Sequence, residues 1–148
     1  MRNASTFILA MCFCLGCGEF GDASSGGRSE PLGPGCTIET PSLESSSGLI
    51  VEFSGPTEGI PLNELFSLNV AVSNFTNPDQ LSILVDATMP AHGHGMLTIV
   101  DISALATPGT FQVDQMNLHM PGEWELSALI MDGNTAVQVR TLVQCIEG

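Results

Sequence analysis

The sequence contains no lysine and no tyrosine, and its only basic side chains are Arg2, Arg28 and Arg140. Against these stand 16 acidic residues, which give a formal net charge of -13. A nucleic-acid-binding surface needs clustered Lys and Arg to neutralise phosphates, so this composition excludes nucleic acid as a partner. An acidic surface attracts small cations, but net charge alone defines no binding site.

The sequence also lacks an apolar run of the length needed to span a bilayer, about 20 residues. Its first segment, MRNASTFILAMCFCLGCGEF, has one arginine, a short apolar run and small residues at its end, a pattern typical of a secretory leader. Leu15-Gly16-Cys17 looks like a bacterial lipobox, although Cys14 replaces the usual aliphatic residue. We expect a signal peptide over 1–16 and a lipid anchor on Cys17; a plain secreted protein cleaved nearby is the alternative.

The leader determines how the five cysteines are interpreted. Cys12, Cys14 and Cys17 belong to the leader or its anchor, which leaves Cys36 and Cys145 in the exported part. In an oxidising compartment such a pair favours a disulfide. We therefore predict a Cys36–Cys145 bond that joins the first strand of the domain to its last; two separate buried thiols are the alternative.

The composition changes after the anchor. Residues 17–35 are rich in Gly, Ser and Pro without apolar periodicity, which predicts a flexible tether. Residues 36–148 contain short segments rich in Val, Ile, Leu, Thr and Phe, separated by Pro, Gly, Asn and Asp, and this predicts one all-β domain. The predicted strands are 36–40, 48–53, 64–73, 81–88, 96–102, 110–118, 123–131 and 135–144.

Strict alternation in several of these strands predicts which side chains face the core. Asp132-Gly133-Asn134 predicts a tight hairpin between the last two strands. Seven to eight strands at this spacing favour an immunoglobulin-like antiparallel β-sandwich. The residues expected to point inward are Phe66, Leu68, Val70, Val72, Leu81, Ile83, Val85, Ala87, Trp124, Leu126, Ala128, Ile130, Val137, Val139 and Val143.

All three histidines of the chain lie in two short segments that also contain methionine. MPAHGHG, residues 89–95, carries His92 and His94, and its Pro and Gly predict an exposed corner rather than a helix. MNLHMPGEW, residues 116–124, places Met116, His119 and Met120 just before a Pro-Gly turn. If the two corners close the same end of the sandwich, imidazoles and thioethers would gather there.

These donor types fit copper best. Imidazole suits Cu(II) and zinc, whereas thioether is soft and selects Cu(I). Zinc is less favoured, because structural zinc sites typically use cysteines and those of this domain are expected to be bridged. The candidate metal ligands are His92, His94, His119, Met89, Met96 and Met120.

The alternative interpretation is that the histidines are surface groups and the methionines fill the core. Under it the protein is a metal-free β-sandwich that serves as an interaction module of the cell envelope. No nucleophile elbow or glycine-rich loop points to an enzyme, and the absence of a free thiolate argues against an electron-transfer copper centre of the His/Cys type.

The two segments, with a Thr-Phe-x-Val strand between them, resemble the YtkA-like domain, which is similar to the domain of FixH proteins. The resemblance covers roughly residues 45–144 and is most specific over 86–130. Family members often have methionine where this chain has His92. The positions that match the family's two motifs are Met89, Pro90, His92, His94 and Gly95 in the first and Met120, Gly122 and Trp124 in the second.

The resemblance implies an immunoglobulin-like sandwich in an exported or membrane-tethered protein connected with copper handling, in which Trp124 is a core anchor. With the residue chemistry, it leads to a periplasmic copper-binding or copper-delivery lipoprotein. Its expected partners are a copper ion, Cu(I) or Cu(II), the membrane through the lipid anchor, and an envelope protein.

Overall fold

The computed structural model describes residues 34–148, so the predicted leader, the Cys17 anchor and nearly all of the tether lie outside the described residues. The described part is almost entirely β, with one short 3-10 helix at Pro78–Gln80 and no α-helix. No helix in this part of the chain is long and apolar enough to cross a membrane. The strands are β1 (Gly35–Ile38), β2 (Ser42–Glu44), β3 (Ile50–Ser54), β4 (Phe66–Ser73), β5 (Leu81–Met89), β6 (His94–Gly95), β7 (Asp101–Ala104), β8 (Thr110–Met116), β9 (Gly122–Asp132) and β10 (Thr135–Ile146).

The strands form two antiparallel sheets of five strands each, which confirms the predicted all-β sandwich. One sheet has the order β1-β10-β9-β5-β6 and the other β2-β3-β4-β8-β7. The sequence predicted seven to eight strands, and the structure has ten. The additional ones are β2 and β6, edge strands of three and two residues that are too short to show an alternating pattern.

The alternation of apolar and polar residues along the sequence predicted most of the buried side chains of β4, β5 and β9. Along β9, Trp124, Leu126, Ala128 and Ile130 are all buried, and the intervening residues are not. The predicted inward faces of β4 and β5 are likewise buried, apart from the half-buried Leu81 at the start of β5. Each large apolar side chain buried in this way stabilises the folded state by roughly 1.5–3 kcal/mol, before the entropy cost of ordering that side chain is subtracted.

The first and last strands of the described domain are joined by backbone pairing and by a disulfide. β1 pairs with β10 in a register that sets Cys36 opposite Cys145, and the two sulfurs are bonded at 2.03 Å. The predicted disulfide between first and last strand is therefore present. The hairpin at Gly133-Asn134 is also present, with Asp132 paired to Thr135 across the turn.

The predicted strand 96–102 is wrong in its position. Residues 96–100 are irregular and β7 occupies Asp101–Ala104, while pairing also extends backwards to β6 at His94–Gly95. The apolar character of this segment favoured a strand, yet Leu97 and Ile99 are exposed by 80% and 92%. The segment crosses from the edge of one sheet to the edge of the other, and this crossing breaks the ladder.

Candidate metal centre at two adjoining corners

Strand pairing brings the two histidine-bearing corners to the same end of the sandwich. β5 and β9 are antiparallel neighbours, with Thr88 opposite Glu125, so the end of β5 lies beside the start of β9. The first corner, residues 89–96, follows β5. The second corner, residues 116–124, leads into β9. Their proximity is therefore a consequence of sheet register.

The first corner is a tight turn followed by a short strand. The backbone N–H groups of His92 and Gly93 donate to the carbonyl oxygen of Met89, at 3.0 and 2.9 Å. Gly93 has φ +68°, a left-handed conformation that favours glycine. The chain then reverses, and His94 pairs with Met89 across β5 and β6. The expectation of a loop over the whole of MPAHGHG is thus corrected for His94 and Gly95, which lie in β6.

The second corner is anchored by a buried leucine. Leu118 is buried, and its carbonyl oxygen accepts a hydrogen bond of 2.8 Å from the backbone N–H of Asn63. Four residues after Met120, the indole N–H of Trp124 donates to the Met120 carbonyl oxygen at 2.9 Å. These bonds fix the backbone on both sides of His119.

The corners meet at three imidazoles and one indole. The ring centres of His94 and His119 are 5.2 Å apart, and those of His92 and His94 are 5.7 Å apart. We call the imidazoles of His94 and His119 the inner rings. The ring of Trp124 lies edge-on to both, with its centre 5.8 Å from that of His94 and 5.3 Å from that of His119. His94 is therefore the central member of the cluster, between His92 on the exposed side and His119 on the inner side.

The rings of His94 and His119 fit a shared metal ion by size. Two imidazoles bound to one ion through bonds of about 2 Å have ring centres roughly 4.5–6 Å apart over ordinary coordination angles. The separation of 5.2 Å between His94 and His119 falls within that interval.

The hydrogen-bonding state of the two inner rings differs. Nδ1 of His94 lies 3.2 Å from the carbonyl oxygen of Gly95. A proton on that nitrogen would leave Nε2 with a free lone pair, the arrangement usual for metal-binding histidine. Nδ1 of His119 is buried and has no hydrogen-bond partner among the described residues. Buried polar nitrogens are nearly always satisfied, so this atom stands out.

The four neighbouring methionines are more buried than His92. Met89 and Met116 lie in the core, with exposed fractions of 2% and 1%, whereas Met96 and Met120 are half-buried and pack against it. The backbone N–H of Met96 donates to the Ala87 carbonyl oxygen at 3.2 Å, which extends the β5–β6 pairing by one residue. The Met96 backbone therefore stays beside the edge of β5, next to the end of β6.

The three histidines do not form a metal-binding set by themselves. Among residues 34–148, no group of three or more His, Cys, Asp or Glu side chains has an arrangement that could hold a metal ion. The remaining side-chain donor types in the two corners include the thioethers of Met89, Met96, Met116 and Met120. A surface groove lined by residues between Pro34 and Ser67 includes none of the candidate ligands.

Sequence reasoning missed two features of the site. It treated the three histidines as equivalent, whereas His92 is exposed and His94 and His119 are half-buried. It also assigned Trp124 to the core alone, although this residue contacts both inner rings. A hint of the second feature is in the sequence, because the Pro-Gly turn places Trp124 directly after the corner that carries His119.

Comparison with protein-family models, with curated proteins and with solved structures gave no match to this chain. The functional interpretation therefore depends on the chemistry and geometry of the two corners.

Proposed function

We propose that this protein is a membrane-tethered copper-binding or copper-delivery lipoprotein whose domain lies on the periplasmic side. The observation that carries the proposal is the 5.2 Å separation of the His94 and His119 rings, which come from corners 25 residues apart in sequence yet adjoin in space. The lipid anchor on Cys17, the immunoglobulin-like character of the sandwich and the kinship with YtkA-like domains belong to the same proposal.

The buried nitrogen of His119 supports a bound ion. A polar atom without a partner costs about 1–3 kcal/mol when it is buried. An ion bound through Nδ1 of His119 and a nitrogen of His94 would satisfy the unpaired atom. The donors nearby are neutral nitrogens and thioether sulfurs, which suit copper better than magnesium or calcium.

The test is a copper titration of the full chain against a chromogenic chelator, with copper supplied in both oxidation states. We expect one ion per chain and the loss of tight binding in the double variant His94→Ala/His119→Ala. The matched control is Asn117→Ala/Gln144→Ala, which changes two half-buried polar residues but removes no imidazole. If the double variant binds copper as tightly as the parent protein, the proposal is wrong.

A second candidate function is supported by the exposed segment between β6 and β7. Leu97 and Ile99 are the two most exposed large apolar side chains of the described chain. Exposed apolar side chains close together in sequence can form part of a protein contact. Under this second proposal the domain is an interaction module of the envelope, and the histidines have no ligand. The copper titration separates the two, because a metal-free module binds no copper stoichiometrically.

A further inference from the structure

We infer that the two-corner site selects a soft monovalent ion, Cu(I), held by His94, His119 and the thioethers of Met96 and Met120, with His92 outside the ligand set. This inference rests on the proposed function, because it names the oxidation state and the donors of the same copper site.

The first argument is that no carboxylate completes a three-donor group with the imidazoles in the described part of the chain. The chain has 16 acidic residues, yet none joins the inner imidazole pair in a group that could hold an ion, within residues 34–148. Carboxylate oxygen is the donor that hard divalent cations require. Glu123, the acidic residue of the second corner, is exposed and joins no three-donor group with the imidazoles, so the donors left for the site are those that a soft ion prefers.

The second argument concerns thiolates. Cys36 and Cys145 are the only cysteines in the described part of the chain, and both are consumed by the disulfide. The sulfur donors of structural zinc sites are cysteine thiolates, and their remaining ligands are imidazoles. Two imidazoles without thiolate or carboxylate leave zinc under-coordinated, and they leave Cu(II) without the four nitrogen or oxygen donors of its preferred tetragonal geometry.

The third argument is the position of the thioethers. Met120 directly follows His119, and its carbonyl oxygen is fixed by the indole N–H of Trp124. Met96 lies two residues after His94, and its backbone N–H donates to the Ala87 carbonyl oxygen at the same edge of β5. Both side chains are half-buried, unlike the core methionine Met89. We assign these two half-buried thioethers as the sulfur donors, so that the proposed site has two nitrogen and two sulfur donors.

The fourth argument is charge. All four proposed donors are neutral, and the surroundings are the half-buried end of an apolar core. Placing an ion there without a compensating carboxylate costs free energy that rises steeply with its charge. The desolvation free energy is therefore much less unfavourable for a monovalent ion than for a divalent ion in the same position.

His92 is distinguished from the other two histidines by geometry. It is exposed and lies near His94, 5.7 Å between ring centres, but it completes no three-ligand group with His94 and His119 in the described structure. Its replacement should therefore leave the bound ion in place.

The experiment compares four ions on the full chain under anaerobic conditions: Cu(I), Ag(I) as its redox-inert analogue, Cu(II) and Zn(II). We expect Cu(I) and Ag(I) to bind at least about 100-fold more tightly than Zn(II) or Cu(II), as thioether donors predict. The double variant Met96→Leu/Met120→Leu should lose roughly 10–100-fold in Cu(I) affinity, whereas His92→Ala should change it by less than about 3-fold.

Met131→Leu is the matched control, because Met131 is also half-buried but lies near the end of β9, at the opposite end of that strand from the corners. Thermal unfolding of each variant shows whether it is folded, and X-ray absorption at the copper edge reports copper–sulfur bonds directly. Equal affinity for Cu(II), or Cu(I) binding insensitive to the methionine change, would overturn the inference while the proposed copper function survives. If the chain binds neither oxidation state, both fall.

Discussion

A Cβ atom placed on Gly122 would lie 2.6 Å from the terminal methyl carbon of Met89. Gly122 begins β9 and Met89 ends β5, so this close approach is the point where the two corners are packed together. Gly122 also has φ +119°, a backbone conformation that other residues rarely adopt. The backbone conformation therefore favours glycine here, and an added Cβ would also displace the flexible end of the Met89 side chain.

We expect Gly122→Ala to destabilise the domain by about 1–3 kcal/mol, from backbone strain together with displacement of Met89. Gly59→Ala is the control, because Gly59 has φ +97° but no atom within 4 Å of the added Cβ. The difference between the two variants in urea unfolding isolates the packing contribution. In a double-mutant cycle with Met89→Ala, the double variant should lose less stability than the sum of the two single losses, because Met89→Ala removes the clash. Additive losses would mean that the two residues do not compete for space.

The Cys36–Cys145 bond spans 109 positions of sequence and should stabilise the fold mainly by restricting the unfolded chain. In the chain-entropy model a loop of this length contributes about 4–5 kcal/mol. We expect Cys36→Ala/Cys145→Ala to lower the free energy of unfolding by an amount of that order, measured in urea. Addition of a thiol reductant should lower the stability of the parent protein but not of the variant. Equal responses of the two proteins to reductant would contradict this account.

Asp132 should make stability depend on pH in the acidic range. The backbone N–H of Thr76 donates to its carboxylate at 2.7 Å and lowers the pKa of Asp132, with further lowering by the Thr76 hydroxyl and the Asn77 N–H and an opposing effect of burial. A group whose pKa is lowered by folding stabilises the protein above its unfolded value of about 3.9, and this stabilisation is lost as the pH falls through the folded value.

We therefore expect the melting temperature to fall as the pH decreases below about 4, and Asp132→Asn to weaken that dependence. Asp132→Asn should also be less stable near neutral pH, because one amide oxygen cannot accept from all three donors. Asp79→Asn is the control, an exposed aspartate in the same region of the chain. Thermal unfolding from pH 2.5 to 7 measures all three proteins; identical pH profiles would show that the Asp132 contacts contribute nothing.

The fold was largely predictable because the sequence patterns that indicate its strands are local. Alternation along β4, β5 and β9 reveals their buried faces without knowledge of the partner strands. The pairing of Cys36 with Cys145 was predictable from the expected export of the domain together with the small number of cysteines. The position of β7 was not, because the exposure of Leu97 and Ile99 depends on where the chain crosses between sheets, and residue type does not encode that.

The candidate site was predictable as a set of residues but not as a geometry. Clustering of His and Met in two turns identified the corners, and the register between β5 and β9 decides whether those corners adjoin. Register depends on long-range pairing, which the composition of a corner does not reveal. The same reason explains why the sequence could not separate the exposed His92 from the half-buried His94 and His119.

Trp124 offers a test of how the second corner is held. It is the single tryptophan of the chain, it is fully buried, and its indole N–H donates to the Met120 carbonyl oxygen. Trp124→Phe keeps an aromatic ring in the core but removes that donor. The released carbonyl should loosen Met120 and lower Cu(I) affinity by roughly 10–100-fold, the usual effect of losing a supporting contact near a metal ligand.

Phe53→Leu is the control for Trp124→Phe, because Phe53 is a buried aromatic residue of β3 in the opposite sheet. Both variants should lose stability, but only Trp124→Phe should lose Cu(I) affinity in the chelator competition. In the parent protein, Cu(I) and Ag(I) should alter Trp124 emission at one ion per chain, since the indole contacts both inner imidazoles. If both variants lose affinity equally, the effect comes from general loosening of the sandwich, and the Trp124–Met120 bond has no special role in holding the corner.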